Sequence, residues 1–456
     1  MRYKYFAVMT GSLLVAACGG GGGDSAMAPA PPAPVQISVT GVAVTKVQVG
    51  PPGIAALEER LHALTDPGPD RKLVLLDAGG AQVAQYVPPA GWSLIDFARH
   101  PSGETTVALA AARDVKLVRL DRLAAPLDEL AVTDPQAATD PFYDNGGVHD
   151  DTSLLPFYTR DAVRIAPLGE GVAMALRTGR NAVVAYRFDH AAAQGYVRAW
   201  RTLVEPGLSM FAIGITSGTF DTFGQLLNHW TVHLDASPAG DVAIAVVSRE
   251  DSVPIFARHA DYFGEPIAAP WGVLVTRLAA DGHRVGSTPI VSNRPMELHG
   301  LRIDGDDVAL VGRVFSAVAA DGSGWDAYTA HVDRASGALR VFATVDVDRG
   351  DVLFDIAPLA QGRFLAAGAT GYIENPSGAS ISEQAAPLLV VLEADGSVKQ
   401  RVTVTAGPRQ NQLRSLAPHG AGWIVGGMVD GPGTHSGDAD PALIRADGFV
   451  RDVALP

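Results

Sequence analysis

The sequence predicts an all-β fold, a single β-propeller of about seven four-stranded blades, and three observations lead there. The chain repeats itself: RPMELHGLRIDGDDVALVG (294–312), RGDVLFDIAPLAQGRFLAAG (349–368) and RQNQLRSLAPHGAGWIVGG (409–427) each run from an Arg through an apolar alternation to a strand ending in Gly. The starting Arg recurs after about 55 and then about 60 residues. Each unit continues into a third stretch (AYTAHVD, LLVVLEADG, ALIRADG) and a fourth (ALRVFATV, VKQRVTVT, FVRDVAL), and four strands at this period make a propeller blade. The composition agrees: 47% hydrophobic and 18% charged residues, with 50 Gly and 31 Pro, suit many short strands between turns.

Taken in order, 1–17 (MRYKYFAVMTGSLLVAA) places Arg2 and Lys4 before a short apolar stretch and small residues, the pattern of an export signal. That stretch is too short to span a membrane. Residues 18–34 read as a tether, flexible where Gly-rich and extended where Ala/Pro-rich. The propeller then occupies 35–456. Alternation around Gly41 over 35–50 predicts two short strands. Ile54, Leu57, Leu61 and Leu64 share one helical face behind Pro51 and Pro52, predicting a short helix inserted in the first blade. The strand patterns place the blades at 35–92, 93–135, 136–207, 208–293, 294–348, 349–408 and 409–456. An open ring would expose edge strands, so the last blade must seal against the first, and 35–50 is the segment placed to do it.

The formal charge is −14 and no basic run interrupts it, which argues against a nucleic-acid partner. Cys18 is the one cysteine, so an exported domain has no disulfide and depends on packing.

Val15, Ala16, Ala17 and Cys18 resemble the lipobox of bacterial lipoproteins. The resemblance implies cleavage before Cys18 and its acylation, with palmitate-type chains holding the protein to a membrane. Gly19 after the Cys, in place of Asp, resembles the class directed to the outer membrane of Gram-negative bacteria. The Gly-ended strands VALVG, FLAAG and WIVGG, with the Asp-Gly turns of VLEADGSV and IRADGFV, resemble β-propeller lipoproteins and, more loosely, delta-60 repeats.

Function must be read from sites, because propellers share architecture and not chemistry. The long loops 140–151, 217–223, 249–270, 314–325, 372–384 and 430–440 fall on one face of such a ring and are candidates for binding. Arg294, Arg349 and Arg409 precede successive innermost strands; they either ring the channel mouth and hold a carboxylate or phosphate, or pair with acids such as Asp346 and Asp351. Arg258, His259, Tyr262 and Trp271 gather aromatic and polar groups suited to a sugar or a peptide. His435, Asp438 and Asp440 offer ligands for Ca²⁺ or a transition metal, as does the stretch with Asp140, Asp144, Asn145, His149, Asp150 and Asp151, although such residues also make ordinary turns. No other cofactor is predicted. GxSxG is absent, and no nucleophilic triad is identifiable from spacing. The expectation is a lipid-anchored cell-envelope module that binds or scaffolds an envelope protein or glycan. The alternative is a hydrolase or lyase acting on an extracellular glycan or peptide at the channel mouth.

Overall fold

In the computed structural model the described residues are 35–60, 71–111, 114–133, 163–177, 183–205, 232–248, 271–294, 296–316, 324–372, 385–404, 410–431 and 447–455. They form seven antiparallel four-stranded sheets arranged as a propeller. Blade 1 holds β2 (Val42–Gly50), β3 (Gly53–Arg60), β4 (Arg71–Asp77) and β5 (Gln82–Tyr86). Blade 2 holds β6 (Ser93–Arg99), β7 (Thr105–Ala111), β8 (Asp114–Leu120) and β9 (Pro126–Val132). Blade 3 holds β10 (Val163–Leu168), β11 (Gly171–Arg177), β12 (Val183–Ala191) and β13 (Gly195–Glu205). In blade 4 are β14 (Val232–Ala236), β15 (Val242–Ser248), β16 (Trp271–Leu278) and β17 (Arg284–Ser292). In blade 5 are β18 (Met296–Asp304), β19 (Asp307–Phe315), β20 (Trp325–Asp333) and β21 (Leu339–Val345). Blade 6 holds β22 (Val352–Pro358), β23 (Phe364–Thr370), β24 (Ala386–Leu392) and β25 (Val398–Arg401). Blade 7 combines β26 (Gln410–His419), β27 (Gly422–Gly431) and β28 (Asp447–Val453) with β1 (Gln36–Thr40).

Two expectations need correction. The helix predicted from Ile54 is strand β3, at least through Arg60. Its Ile54 and Ala56 enter the core shared with blade 7, while Ala55 and Leu57 enter the core shared with blade 2. A strand buried on both faces is apolar at consecutive positions, so a helical spacing can be picked out of it. The second correction concerns closure. FVRDVAL, expected as a fourth strand, supplies the third: β28 pairs with β27, and β1 adds outside it with Gln36 opposite Arg451 and Thr40 opposite Asp447. Residues 36–40 therefore belong to the last blade and not the first. The outer strand of blade 7 is thus the N-terminal β1, which covers the edge of β28.

The closing strand begins with directed contacts. Val35 N–H donates to Asp452 Oδ2 at 2.6 Å, and Asp452 N–H donates to the Val35 carbonyl at 2.9 Å. Asp452 Oδ1 lies 2.8 Å from His419 Nδ1. Val35 is buried against Gly80, a left-handed residue (φ 86°) where a Cβ would lie 2.9 Å from the valine side chain.

A separate hydrophobic cluster fills each junction between neighbouring blades, including the one joining blade 7 to blade 1. The Gly that ends the second strand of blades 5, 6 and 7 has a packing reason. At Gly312, Gly368 and Gly427 a Cβ would meet the carbonyl oxygen of Glu297, Val352 or Gln412 at 1.9, 1.9 and 2.0 Å. Each faces a β-bulge in the innermost strand, where one extra residue pushes the backbone inward.

Polar networks join the blades at the edge carrying the short turns. His100 Nδ1 sits 2.9 Å from the Gly169 carbonyl and Nε2 sits 2.6 Å from Thr106 Oγ1, which in turn bonds the Tyr196 hydroxyl. Arg119, fully buried, bonds Glu104 at 2.7 Å and also the Glu170 carboxylate. Burial, reinforced by Arg119, lowers the His100 pKa to about 4.

Two outcomes follow. Asp452→Ala removes the acceptor for Val35 and the partner of His419, and is expected to cost about 2 kcal/mol in denaturant unfolding; an unchanged midpoint would show that β1 closes the ring without it. His100 binds fewer protons folded than unfolded, so its stability contribution is complete above pH ~6.5 and falls away towards pH ~4, by up to about 3 kcal/mol. Melting temperature against pH should therefore drop less steeply over that window in His100→Gln than in the parent, whereas parallel curves would exclude the linkage.

Candidate functional site

The innermost strands β2, β6, β10, β14, β18, β22 and β26 surround a central cavity of about 200 Å³. Five of them carry the bulge at an equivalent place, so two adjacent residues replace one: Thr45–Lys46, Ile95–Asp96, His299–Gly300, Phe354–Asp355 and Arg414–Ser415. The first of each pair lines the cavity, as do Arg164 and His233, which follow the equivalent core valines in the unbulged blades 3 and 4. One tier of the channel thus comprises Thr45, Ile95, Arg164, His233, His299, Phe354 and Arg414.

The second residue of each pair is directed at the next blade. Lys46 Nζ meets Asp96 Oδ1 at 2.6 Å and donates to the Phe97 carbonyl at 2.8 Å. Asp96 Oδ2 accepts the Ile165 N–H at 2.9 Å. Asp355 Oδ2 accepts the Leu416 N–H and the Ser415 hydroxyl, each at 3.0 Å. Ser415 Oγ accepts the Val47 N–H at 3.1 Å, carrying the series across the ring closure. Gly300 has no side chain because a Cβ would lie 2.9 Å from the Phe354 carbonyl of the next blade. In the unbulged blade 4, Asp235 Oδ2 performs the same task on Ile303 N–H at 2.8 Å.

Charge in the channel is largely balanced within this frame. Arg302 reaches Asp355 at 3.2 Å; that carboxylate above all, with Asp235 and Asp96, raises its pKa against the effect of burial. Burial raises the Asp235 pKa, and Arg302 partly offsets it. Burial lowers the Lys46 pKa against the pull of Asp96. Glu297 is chelated by Arg313 at 2.6 and 3.0 Å; burial opposes its charge, but Arg313 and His299 prevail and hold it below the usual carboxylate range. His299 Nε2 lies 3.3 Å from Glu297, and its ring meets the Phe354 ring edge-on at 5.1 Å. Arg414 stacks on the other ring partner, its guanidinium 3.9 Å from the Phe354 centroid. Burial, then Arg164 and His299, push the His233 pKa well below its ordinary value.

Of the sequence candidates, only a few lie among the described residues. Arg294 and Arg349 are exposed on the connections leading to β18 and β22, and neither lines the cavity. Asp351, offered as a partner for Arg349, is buried and accepts the N–H groups of Val347 (2.6 Å) and Asp348 (3.2 Å). Trp271 opens β16, with its side chain outside the described residues. Cys18, Arg258, His259, Tyr262, Arg409, His435, Asp438 and Asp440 all lie outside them, as does the 140–151 stretch. Among the described residues, no three His, Cys, Asp or Glu side chains gather as a metal site. The channel tier escaped the sequence reading. Its signal was present: each member follows a core aliphatic of its innermost strand, as in LHGL, LFDI and LRSL.

No protein-family model matches the chain, and no curated protein matches it. Its fold is similar to that of YCF48 bound to a D1 peptide (11% identity, 94% of this chain and 100% of that one, TM-score 0.45). It is also similar to the WD40 β-propeller domain of Doa1 (10% identity, 91% and 96%, TM-score 0.44). A protein of unknown function from Bacteroides caccae aligns at 11% identity over 76% and 94%, with a TM-score of 0.39. The chain is a closed seven-bladed β-propeller with a charged central channel.

The inter-blade acceptors generate a prediction of their own. Asp355→Ala leaves the Leu416 N–H and the Arg302 charge without their partner in a buried setting, and should destabilise the ring by about 3 kcal/mol. Asp355→Asn, which keeps an acceptor, should recover part of that loss; chemical denaturation of both variants checks the ordering.

Proposed function

We propose that this protein is an exported, lipid-anchored propeller that binds or scaffolds a partner at the bacterial cell envelope. The observation that carries the reading is an asymmetry between the two edges of the ring. Connections at one edge are short, from 51–52, 305–306 and 420–421 to 279–283 and 334–338. Those at the opposite edge include 133–162, 206–231, 249–270 and 432–446. Length gathered at one edge of a rigid frame is how a scaffold carries a variable binding surface.

The direction of β1 adds to this. Val35 lies beside Asp452, His419 and Gly80, at the short-turn edge, and β1 runs from there towards the long-connection edge. A segment leading from Cys18 would join the ring at Val35, where the closing strand begins. The partner this arrangement suits is an envelope protein or glycan. Asp96, Asp235 and Asp355 each accept a backbone N–H of the neighbouring blade, a structural use of the channel carboxylates. That favours binding over a hydrolase or lyase.

Cys18→Ser is expected to move the protein from the membrane fraction to the soluble one; retention in the membrane would overturn the anchor. Shortening 249–270 should abolish cross-linking to the envelope partner with little change in melting temperature, while alteration of the 334–338 turn should not. The reverse pattern would place the binding face on the other edge.

A further inference from the structure

In blades 1 to 6 the outer strand is blunted by irregular pairing. β5, β9, β17, β21 and β25 each hold one extra residue against their neighbour, at Val83, Leu127, Val285, Arg340 and Lys399, and β13 holds two. Bulges twist an edge away from further pairing. Charged residues or proline on β9, β13, β17, β21 and β25 add to that protection. Blade 7 is the exception. β1 pairs with β28 in unbroken register from Gln36–Arg451 to Thr40–Asp447, and 35–45 contains no charged residue and no proline.

Among the described residues no strand lies on the outer side of β1. The Val35 carbonyl accepts the Asp452 N–H, so the alternation of an antiparallel ladder turns the N–H and C=O groups of Ile37 and Val39 to β28. Those of Gln36, Ser38 and Thr40 face outward, and Gln36 and Ser38 are exposed. A flat, uncharged edge of this kind is a template for one more strand. The sequence of β1 indicates which one. Laid antiparallel on itself about Ser38, QISVT sets Ile37 opposite Val39 of a second copy. Both are β-branched, and they meet at a non-hydrogen-bonded site, where side chains approach closest. Ser38 meets Ser38 and Gln36 meets Thr40, with outward N–H and C=O groups matched donor to acceptor and no like charges opposed.

We propose that two copies of this protein associate through β1, joining their seventh blades into one eight-stranded sheet about a two-fold axis. Such an interface is self-complementary and closed: each copy uses its one unbulged outer edge, and none is left to propagate. The association does not depend on the long-connection surface and stands or falls independently of it.

The test is sedimentation equilibrium of the purified full chain, which should show a monomer–dimer equilibrium between about 1 and 100 μM. Ser38→Pro removes an outward N–H that β28 does not use, so the melting temperature should hold. Dimerisation should weaken about thirtyfold, because one N–H is lost on each side of the axis. Ser38→Lys, which opposes like charges across the axis, serves if the proline variant does not fold. With Cys18→Ser removing the only other thiol, Ser38→Cys should yield a covalent dimer with a short bis-maleimide. Val285→Cys, on the bulged edge of blade 4, should not. A chain that stays monomeric throughout that range would overturn the proposal. So would a dimer unaffected by either Ser38 variant, or equal cross-linking from positions 38 and 285.

Discussion

The ring depends on a side chain of one innermost strand accepting the backbone N–H of the next blade. Each blade is its own sheet, so among the described residues isolated backbone bonds such as Asn411 N–H to the Ala385 carbonyl, and no strand ladder, run from blade to blade. The apolar clusters at the junctions hold neighbours together, but apolar burial has no direction and leaves their relative height and rotation free. Asp96 on Ile165, Asp235 on Ile303, Asp355 on Leu416 and Ser415 on Val47 supply the missing direction. Gln48 does so from the same strand as Lys46, accepting the Arg99 N–H at 2.8 Å. Three of these acceptors are carboxylates in a confined channel, and charge there is tolerable only with partners. Lys46 and Arg302 are the consequence. The polarity of the channel is thus first a requirement of assembly.

The bulge reconciles that requirement with an accessible channel. An unbulged strand sends alternate residues to opposite faces, so a residue facing the cavity is followed by one facing the core. Adding one residue yields two consecutive positions off the core alternation, one for the cavity and one for the neighbouring blade. The inward displacement of the backbone then removes the room for a side chain on the second strand, and Gly312, Gly368 and Gly427 follow. Sequence features that look unrelated, a terminal glycine and an aspartate two residues after a core leucine, are parts of one local geometry.

This explains what was legible in the sequence. Apolar spacing and the terminal glycines repeat because every blade packs alike, and they revealed the architecture, including the need for a seal through 35–50. The channel tier did not repeat: Thr45, Ile95, Arg164, His233, His299, Phe354 and Arg414 share a position and no chemistry, so alignment of blades hides them. Arg294 and Arg349 drew attention because they recur, yet both are exposed outside the cavity. Strand β3 was misread since burial on both faces erases the two-residue period that marks a strand. The final blade was misassigned for a different reason: nothing local in FVRDVAL distinguishes a third strand from a fourth, and only the position of β1 does.

The distribution of charge bears on how such a channel would meet a solute. A formal charge of −14 for the whole chain would seem to repel an anion. At physiological ionic strength, however, screening confines exposed charges to a range of about 8 Å, so the outer surface has little say inside the ring. Within the channel the local arrangement governs: Asp96, Asp235 and Asp355 are fixed to the frame by backbone N–H groups, with Lys46 and Arg302 beside them. Asp235 and Asp355 cannot release their backbone partners without loosening the blades, so the contacts that assemble the ring also fix the charges a solute in the channel would meet.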